Sequence, residues 1–194
     1  MTGSLGFVRH IALVGMMGSG KSETGRRLAL VLGRGFLDCD ALVVAAADRS
    51  IPEIFEAEGE AGFRRRESEN LAAVLASAEP LVVATGGGVV TVGANRDLLA
   101  GAVVCWLRVR PEVLATRVSD GSGRPLLSGT GGDDSVLERL RRLVAERDRW
   151  YGEVADVILD ADELSARQAA SALATRLSDV DGWMVDDTEC EKAS

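Results

Sequence analysis

The chain has 194 residues, enough for one α/β domain with small inserted segments, and 46% of them are apolar, which suffices for a packed core. Its formal net charge of −8 and its 4% aromatic content argue against a nucleic-acid-binding protein, because such proteins usually present a basic face. No apolar run reaches the ~20 residues that a membrane-spanning helix needs, so we expect no membrane partner.

Short apolar runs alternate with helical patterns along the chain, which is typical of a parallel sheet covered by helices on both faces. The predicted strands are His10–Val14, Gly35–Leu37, Leu81–Thr85, Val103–Leu107 and Val157–Leu159. The predicted helices are Ser22–Leu32, Ile51–Glu58, Gly62–Ala76, Pro111–Val118, Ser135–Trp150 and Ser165–Leu177. Ligands of such sheets bind at the carboxyl ends of the strands.

The segment Gly15–Ser22 fits the pattern G-x-x-x-x-G-K-[ST] and lies between a predicted strand and a predicted helix, the context of a phosphate-binding loop. Its glycines let successive backbone N–H groups face phosphate oxygens. Lys21 would reach the β- and γ-phosphates, and the Ser22 hydroxyl would ligate magnesium. The predicted nucleotide-binding residues of this loop are Gly18, Ser19, Gly20, Lys21 and Ser22.

Two aspartates, Asp38 and Asp40, follow the second predicted strand. On an extended backbone their side chains would project the same way. One could support the magnesium shell through water, and the other could accept a hydrogen bond from a substrate hydroxyl. The alternative is a pair of solvated turn residues.

Glycines and arginines supply further candidates. The triplet Gly86, Gly87 and Gly88 follows the third predicted strand and would permit close approach of a ligand, although a plain tight turn would also explain it. Arg64, Arg124 and Arg147 could hold a carboxylate or a phosphate, although each alone could be a surface charge. Since Arg64 belongs to a helical run of three arginines, only one of the three can face a given cleft.

Two segments depart from the alternating pattern. Residues 119–135 are rich in Gly, Ser and Asp around Arg124–Leu127, which indicates a mobile surface loop with a short anchored centre. Residues 179–194 hold six acidic residues against Lys192, which indicates a disordered acidic tail. We therefore expect a single domain over residues 1–178, followed by the tail.

Taken together and in this order, the motifs resemble those of the shikimate kinases, small P-loop kinases related in fold to the nucleoside monophosphate kinases. The resemblance extends over most of residues 11–160. The matching segments are Gly15–Ser22, Phe36–Asp40, Ser50–Glu67, Gly86–Val90, Arg124–Leu127 and Arg147–Tyr151.

The resemblance implies a three-layer αβα P-loop kinase fold with a central parallel sheet, a substrate-binding helical subdomain at about 38–68 and a mobile lid at about 119–135. It also implies transfer of the ATP γ-phosphoryl group to the 3-hydroxyl of shikimate. Lys21 would neutralise the transferred group, Ser22 and, through water, Asp38 would hold Mg²⁺, Arg124 would act from the lid, and Arg117 would lie against adenine.

For the acceptor, the resemblance implies that Asp40 binds ring hydroxyls and orients or deprotonates the attacking oxygen. Arg64 and Arg147 would clamp the carboxylate, and Gly86–Gly88 would line the ring and the γ-phosphate. One position departs from the family pattern: Glu23 stands where Ser or Thr usually contacts the α-phosphate, so we expect its carboxylate to point outward.

Two other functions remain open at this stage. A related kinase acting on another polyol, such as gluconate or a cyclitol, would share the whole ATP half. A non-catalytic nucleotide-binding module would require loss of transfer groups, and none is missing. With three scattered cysteines, no C-x-x-C pair and no apolar leader segment, we expect a cytoplasmic protein, and we expect a monomer.

Overall fold

The computed structural model of the chain describes residues 9–118 and 135–180. Residues 119–134 of the predicted lid, which include Arg124, lie outside the described residues, as do residues 181–194 of the predicted tail. The elements below therefore belong to the two described ranges.

Five short strands of the described chain form one sheet, and every neighbouring pair in it is parallel. Their order across the sheet is β2-β3-β1-β4-β5, so β1 is central and all its residues are buried, as a doubly covered strand requires. Each strand agrees with its prediction to within one residue at either end. They are β1 (Ile11–Val14), β2 (Gly35–Asp38), β3 (Leu81–Ala84), β4 (Val103–Arg108) and β5 (Val157–Asp160).

The helices of the described ranges are α1 (Lys21–Leu32), α2 (Cys39–Ala47), α3 (Ile51–Leu75), α4 (Gly93–Leu99), α5 (Pro111–Val118), α6 (Val136–Val154) and α7 (Ala166–Leu177). They mostly follow the predicted helices.

Three of these helices, α3, α6 and α7, begin with capping boxes. In each box a serine exchanges hydrogen bonds with the residue three positions later, and the three serines are Ser50, Ser135 and Ser165. A bend at Gly59, where φ is 68°, divides α3 where two separate helices were expected.

Two helices, α2 and α4, are missing from the sequence-based prediction. Most of α2 is a run of alanine, leucine and valine, so no polar residues mark the helical period. Helix α4 has only seven residues and begins with a glycine, which is too short for a periodic pattern. The omission of α2 matters for the site, because α2 carries Asp40.

Helices cover both faces of the sheet, which confirms the three-layer αβα fold. Along β1 the side chains alternate between two apolar clusters. Ile11 and Leu13 pack with residues of α1 and α7, and Ala12 and Val14 pack with residues of α3, α4, α5 and α6. The core therefore lies on both sides of the central strand.

A third and smaller apolar cluster lies between α2 and α3. Its buried members are Val43, Ile54 and Phe63, with Ile51 and Phe55 packed against them. This cluster holds the two helices together beside the end of β2, and it gives the predicted subdomain at about 38–68 a small core of its own.

The sheet order brings three predicted motifs together. Strands β2, β3 and β1 are neighbours, with Asp38 in register with Ala84 and Ala84 in register with Leu13. Since all three strands are parallel, their carboxyl ends meet at one edge of the sheet. The phosphate-binding loop, Asp38 and the glycine triplet consequently lie side by side.

In residues 9–118 and 135–180, no helix combines the length and the apolar character needed to cross a membrane.

The packing of α1 on the sheet yields a test of the fold. A Cβ on Gly25 would lie 2.5 Å from Cε2 of Phe36 and 3.1 Å from Cδ1 of Leu13. We expect Gly25→Ala to lower the free energy of unfolding by about 1–3 kcal/mol through overpacking, measured by urea denaturation.

Gly93→Ala is the matched control, because the nearest atom to its new Cβ is Nη2 of Arg96 at 3.8 Å. We expect this variant to be neutral or slightly more stable, since alanine favours a helix over glycine. Equal stability of the two variants would contradict the close packing described for α1.

Candidate active site

The phosphate-binding loop has the conformation that its glycines permit. Gly15 has a φ of 140°, and a Cβ there would lie 2.6 Å from the carbonyl oxygen of Leu107. Glycine is therefore required where the loop leaves β1 and passes β4. Within this loop Gly20 is the N-cap of α1, so the N-terminus of the helix faces any bound anion.

The side chain of Lys21 is buried and folds back on the first residues of the phosphate-binding loop. Its Nζ donates hydrogen bonds to the carbonyl oxygens of Gly15 at 2.8 Å and Met16 at 2.9 Å. Near it, the hydroxyl oxygen of Ser19 is buried and has no hydrogen-bond partner among the described residues. The loop thus holds an ammonium group and an unsatisfied hydroxyl in a compact site suited to phosphate.

The carboxylate of Glu23 is turned away from the phosphate site toward neighbouring arginines. Its side chain is 53% exposed and lies 2.7 Å from Nη2 of Arg27 and 3.9 Å from Nη1 of Arg26. The expectation that the Glu23 carboxylate points outward is therefore met, although Glu23 is among the residues that line the cavity.

Asp38 and Asp40 do not share an extended backbone, and that expectation was wrong. Helix α2 begins at Cys39, and Asp38 is its N-cap, accepting hydrogen bonds at Oδ1 from the N–H groups of Asp40 and Ala41. Capping is the physical reason, because a carboxylate at this position satisfies otherwise unpaired N–H donors. Asp40 lines the cavity from the first helical turn, and Asp38 does not.

Arg64 faces the cavity and forms an ion pair with the buried carboxylate of Glu67. Its Nη1 donates to Oε2 of Glu67 at 2.7 Å, and its Nη2 donates to Glu60 at 3.1 Å. Burial raises the pKa of the Glu67 carboxyl, and the charge of Arg64 opposes that rise. The two neighbouring arginines, Arg65 and Arg66, turn instead toward Glu58, so only one of the three faces the cleft.

The glycine triplet passes these side chains at very short range. A Cβ on Gly86 would lie 2.1 Å from Oε1 of Glu67 and 2.7 Å from Oδ1 of Asp40. A Cβ on Gly88 would lie 2.1 Å from Nη2 of Arg64. The triplet is consequently more than a tight turn, because its lack of side chains makes room for the charged groups of the site.

Helix α6 contributes the second buried arginine. Arg147 is 3% exposed, and its Nη1 donates to the carbonyl oxygen of Gly87 at 3.2 Å. Three buried polar atoms of this region have no hydrogen-bond partner among the described residues: Nε of Arg64, Oε1 of Glu67 and Nε of Arg147. Buried polar groups are nearly always paired, so these atoms indicate a place for a polar ligand.

One cavity of about 440 Å³ joins these groups. Its lining includes most of the predicted site but leaves out Ser19, Asp38 and Gly86. The predicted residues that line it are Gly18, Gly20, Lys21, Ser22, Asp40, Arg64, Gly87, Gly88, Arg117 and Arg147.

Arg117 also lines this cavity. Its Nη2 donates to the carbonyl oxygens of Ala161 at 2.9 Å and Asp162 at 2.7 Å, which ties the end of α5 to the loop after β5. Arg124, the remaining predicted site residue, lies outside the described residues.

Several groups at the site were not singled out as site residues from the sequence. Glu67 lies one helical turn after Arg64, and this i, i+3 spacing was the available signal. Phe55, Phe63 and Thr85 also line the cavity, but isolated apolar or hydroxyl residues carry no distinguishing pattern.

The chain matches the family model "Shikimate kinase" over residues 17–178. The chain belongs to the shikimate kinase family. The shikimate kinase of Parasynechococcus marenigrum is 52% identical over 144 residues, which cover 72% of this chain and 75% of that protein.

Solved structures show the same relationship. The shikimate kinase from Acinetobacter baumannii, solved in complex with shikimate, has a TM-score of 0.84 and 37% identity, covering 89% of this chain and 94% of that one. A gluconokinase from Sinorhizobium meliloti has a TM-score of only 0.59 and 25% identity, covering 89% and 95%.

The position of Glu23 yields a test at the nucleotide end. Because its carboxylate is exposed and paired, solvent and salt screen it from a bound phosphate, and we expect Glu23→Gln to tighten ATP binding by no more than about threefold. Calorimetric titration with ATP measures this change.

Glu112→Gln is the matched control, because Glu112 is 51% exposed and pairs with Arg141 in a comparable surface ion pair. A gain in ATP affinity above about tenfold for Glu23→Gln alone, equivalent to about 1.4 kcal/mol, would contradict the outward orientation.

Proposed function

We propose that this chain transfers the γ-phosphoryl group of ATP to the 3-hydroxyl of shikimate, giving shikimate 3-phosphate and ADP. One observation carries the proposal: a single cavity joins Lys21 of the phosphate-binding loop to Asp40, Arg64 and Arg147, which come from three other elements. Family membership supports the same reaction.

At the acceptor end, Arg64 and Arg147 bind the carboxylate of shikimate. Each guanidinium keeps a buried Nε without a partner among the described residues, and a carboxylate would satisfy both donors. Asp40 accepts a hydrogen bond from the reacting hydroxyl, orients its oxygen toward the γ-phosphorus and receives or passes on its proton. A pair of arginines beside the carboxylates of Asp40 and Glu67 suits an acid that also bears hydroxyl groups.

At the nucleotide end, the backbone of Gly18–Gly20 and the Lys21 ammonium hold the β- and γ-phosphates. The bond from the bridging oxygen to the γ-phosphorus breaks while the bond from the acceptor oxygen forms, and ADP leaves. Since this transition state is loose, catalysis depends on positioning and on neutralisation of charge. Arg117 lies against the adenine, and Arg124, which lies outside the described residues, contributes a further positive charge at the ATP phosphates.

The donor set also suits Mg²⁺, which prefers oxygen ligands and usually retains several waters and phosphate oxygens. Ser22 lines the cavity and would hold the ion through its hydroxyl. Asp38 does not line the cavity and accepts the N-cap hydrogen bonds at Oδ1, so its carboxylate would support the ion through water. Within the described residues no group of three or more His, Cys, Asp or Glu could hold a metal ion by itself. The ion neutralises phosphate charge when bound.

We propose a single kinase domain over residues 1–178, in which residues 38–68 form the substrate-binding subdomain. Residues 179–194 follow it as an acidic tail.

We further propose that the protein acts as a monomer in the cytoplasm without a nucleic-acid partner. The two described cysteines, Cys39 and Cys105, are free and buried, which suits a reducing compartment.

An acceptor panel tests the proposed function directly. The purified chain is incubated with ATP and Mg²⁺ together with shikimate, gluconate or a cyclitol without a carboxylate, and ADP release is measured. We expect acceptor-dependent release with shikimate far above that with the others. Preference for gluconate or for the neutral cyclitol would overturn the assignment, as would ATP binding without any acceptor-dependent turnover.

The role of Asp40 gives a further prediction. We expect Asp40→Asn to lower kcat by at least about 10²-fold, because the amide can still bind a hydroxyl but cannot take its proton. The ATP dissociation constant should stay within about twofold, since Asp40 lies on the acceptor side. Steady-state kinetics and ATP titration measure the two effects, and near-normal turnover would contradict the assigned role.

A further inference from the structure

Tyr151 is the single tyrosine of the sequence, and it lies one helical turn after Arg147 on α6. Its side chain is 1% exposed. Its ring stacks on Trp106 of β4, with ring centroids 5.5 Å apart and an interplanar angle of 25°. This stacking fixes the ring between α6 and the sheet.

The hydroxyl of Tyr151 reaches two of the motifs that form the site. It donates a hydrogen bond to the carbonyl oxygen of Gly87 at 2.5 Å, and it lies 3.6 Å from the sulfur of Met16 in the phosphate-binding loop. Burial raises the pKa of the phenol, so the group remains a donor throughout the neutral range.

The carbonyl oxygen of Gly87 also accepts the hydrogen bond from Nη1 of Arg147. A carbonyl oxygen has two lone pairs, so both donors can bind at once. Because α6 carries both Arg147 and Tyr151, one helix supplies two donors to this one carbonyl oxygen. The peptide is trans, so the N–H of Gly88 points to the opposite side, away from α6.

We propose that Tyr151 is a positioning residue that fixes the Gly87–Gly88 peptide and, through the shared carbonyl, the guanidinium of Arg147 for the acceptor. This proposal rests on the proposed function, because it assigns the glycine triplet and Arg147 to the acceptor pocket. Tyr151 acts through these two groups without touching the acceptor itself.

Because the glycine triplet is closely packed, the position of the Gly87–Gly88 peptide determines how Arg64 and Arg147 are aligned. A Cβ on Gly87 would lie 3.0 Å from the N atom of Met17, so the triplet already packs tightly against the phosphate-binding loop. Rotation of the peptide would move Gly88 relative to Arg64 and Gly87 relative to Arg147. Both arginines that bind the carboxylate would then lose their alignment.

Tyr151→Phe removes the hydroxyl and keeps the ring. We expect kcat/KM for shikimate to fall by about tenfold, the effect of losing one hydrogen bond to a backbone carbonyl, mainly through a higher shikimate KM. The ATP KM should change by less than about twofold, because the contact with the Met16 sulfur is weak. Steady-state kinetics with each substrate varied in turn measure this split.

Trp106→Phe is the control for packing alone. It weakens the stack beneath Tyr151 but keeps the hydroxyl, so we expect a lower melting temperature and a shikimate KM close to that of the wild type. If Tyr151→Phe also lowers only the melting temperature, or raises both KM values equally, the positioning role is contradicted. A wild-type chain that does not phosphorylate shikimate would instead refute the proposed function.

A second measurement needs no substitution and therefore holds even if Tyr151→Phe fails to fold. Growth on 3-fluorotyrosine labels Tyr151 alone, because the sequence contains no other tyrosine. We expect the ¹⁹F resonance of the labelled full-length chain to shift when shikimate saturates the site. An unchanged resonance at saturating shikimate would overturn the proposal.

Discussion

The backbone of Gly86–Gly88 passes so close to its neighbours that no residue of the triplet could carry a Cβ without a neighbour moving. Gly86 lies against Glu67 and Asp40, Gly87 against the phosphate-binding loop, and Gly88 against Arg64. The site depends on this constraint, because it lets charged groups from α2, α3 and α6 converge on a loop that follows β3. The sheet order supports it by placing β3 between β2 and β1.

Two buried arginines meet at this loop, and each is stabilised differently. Arg64 pairs with Glu67, and Arg147 donates to the carbonyl oxygen of Gly87. Neither arrangement uses all of the donors, since the Nε of each guanidinium has no partner among the described residues. Burying such groups is costly, and an anionic acceptor would offset part of that cost. The affinity for an anionic acceptor is therefore linked to the free energy that burial of these two arginines costs.

The sequence sufficed for the parallel sheet and the phosphate-binding loop, because apolar runs and a long motif carry strong local signals. The helical spacing predicted that one of three neighbouring arginines would face the cleft, and the family resemblance singled out Arg64. It did not reveal α2, whose apolar run hides the helical period, and so it misjudged the geometry of Asp38 and Asp40. Glu67 and Tyr151 were also not identified as site residues. Their importance depends on contacts with Arg64 and Gly87 that only the fold creates.

The most direct test of the central constraint is calorimetric titration of shikimate into Gly88→Ala. Alanine can adopt the φ of −107° and ψ of 4° at this position, and the atoms it would displace belong to the Arg64 side chain. We therefore predict a variant that still folds, with a lower melting temperature because the Arg64–Glu67 pair is disturbed, unchanged ATP binding, and shikimate binding weakened by at least about tenfold, or about 1.4 kcal/mol. Wild-type shikimate affinity in this variant would contradict the account.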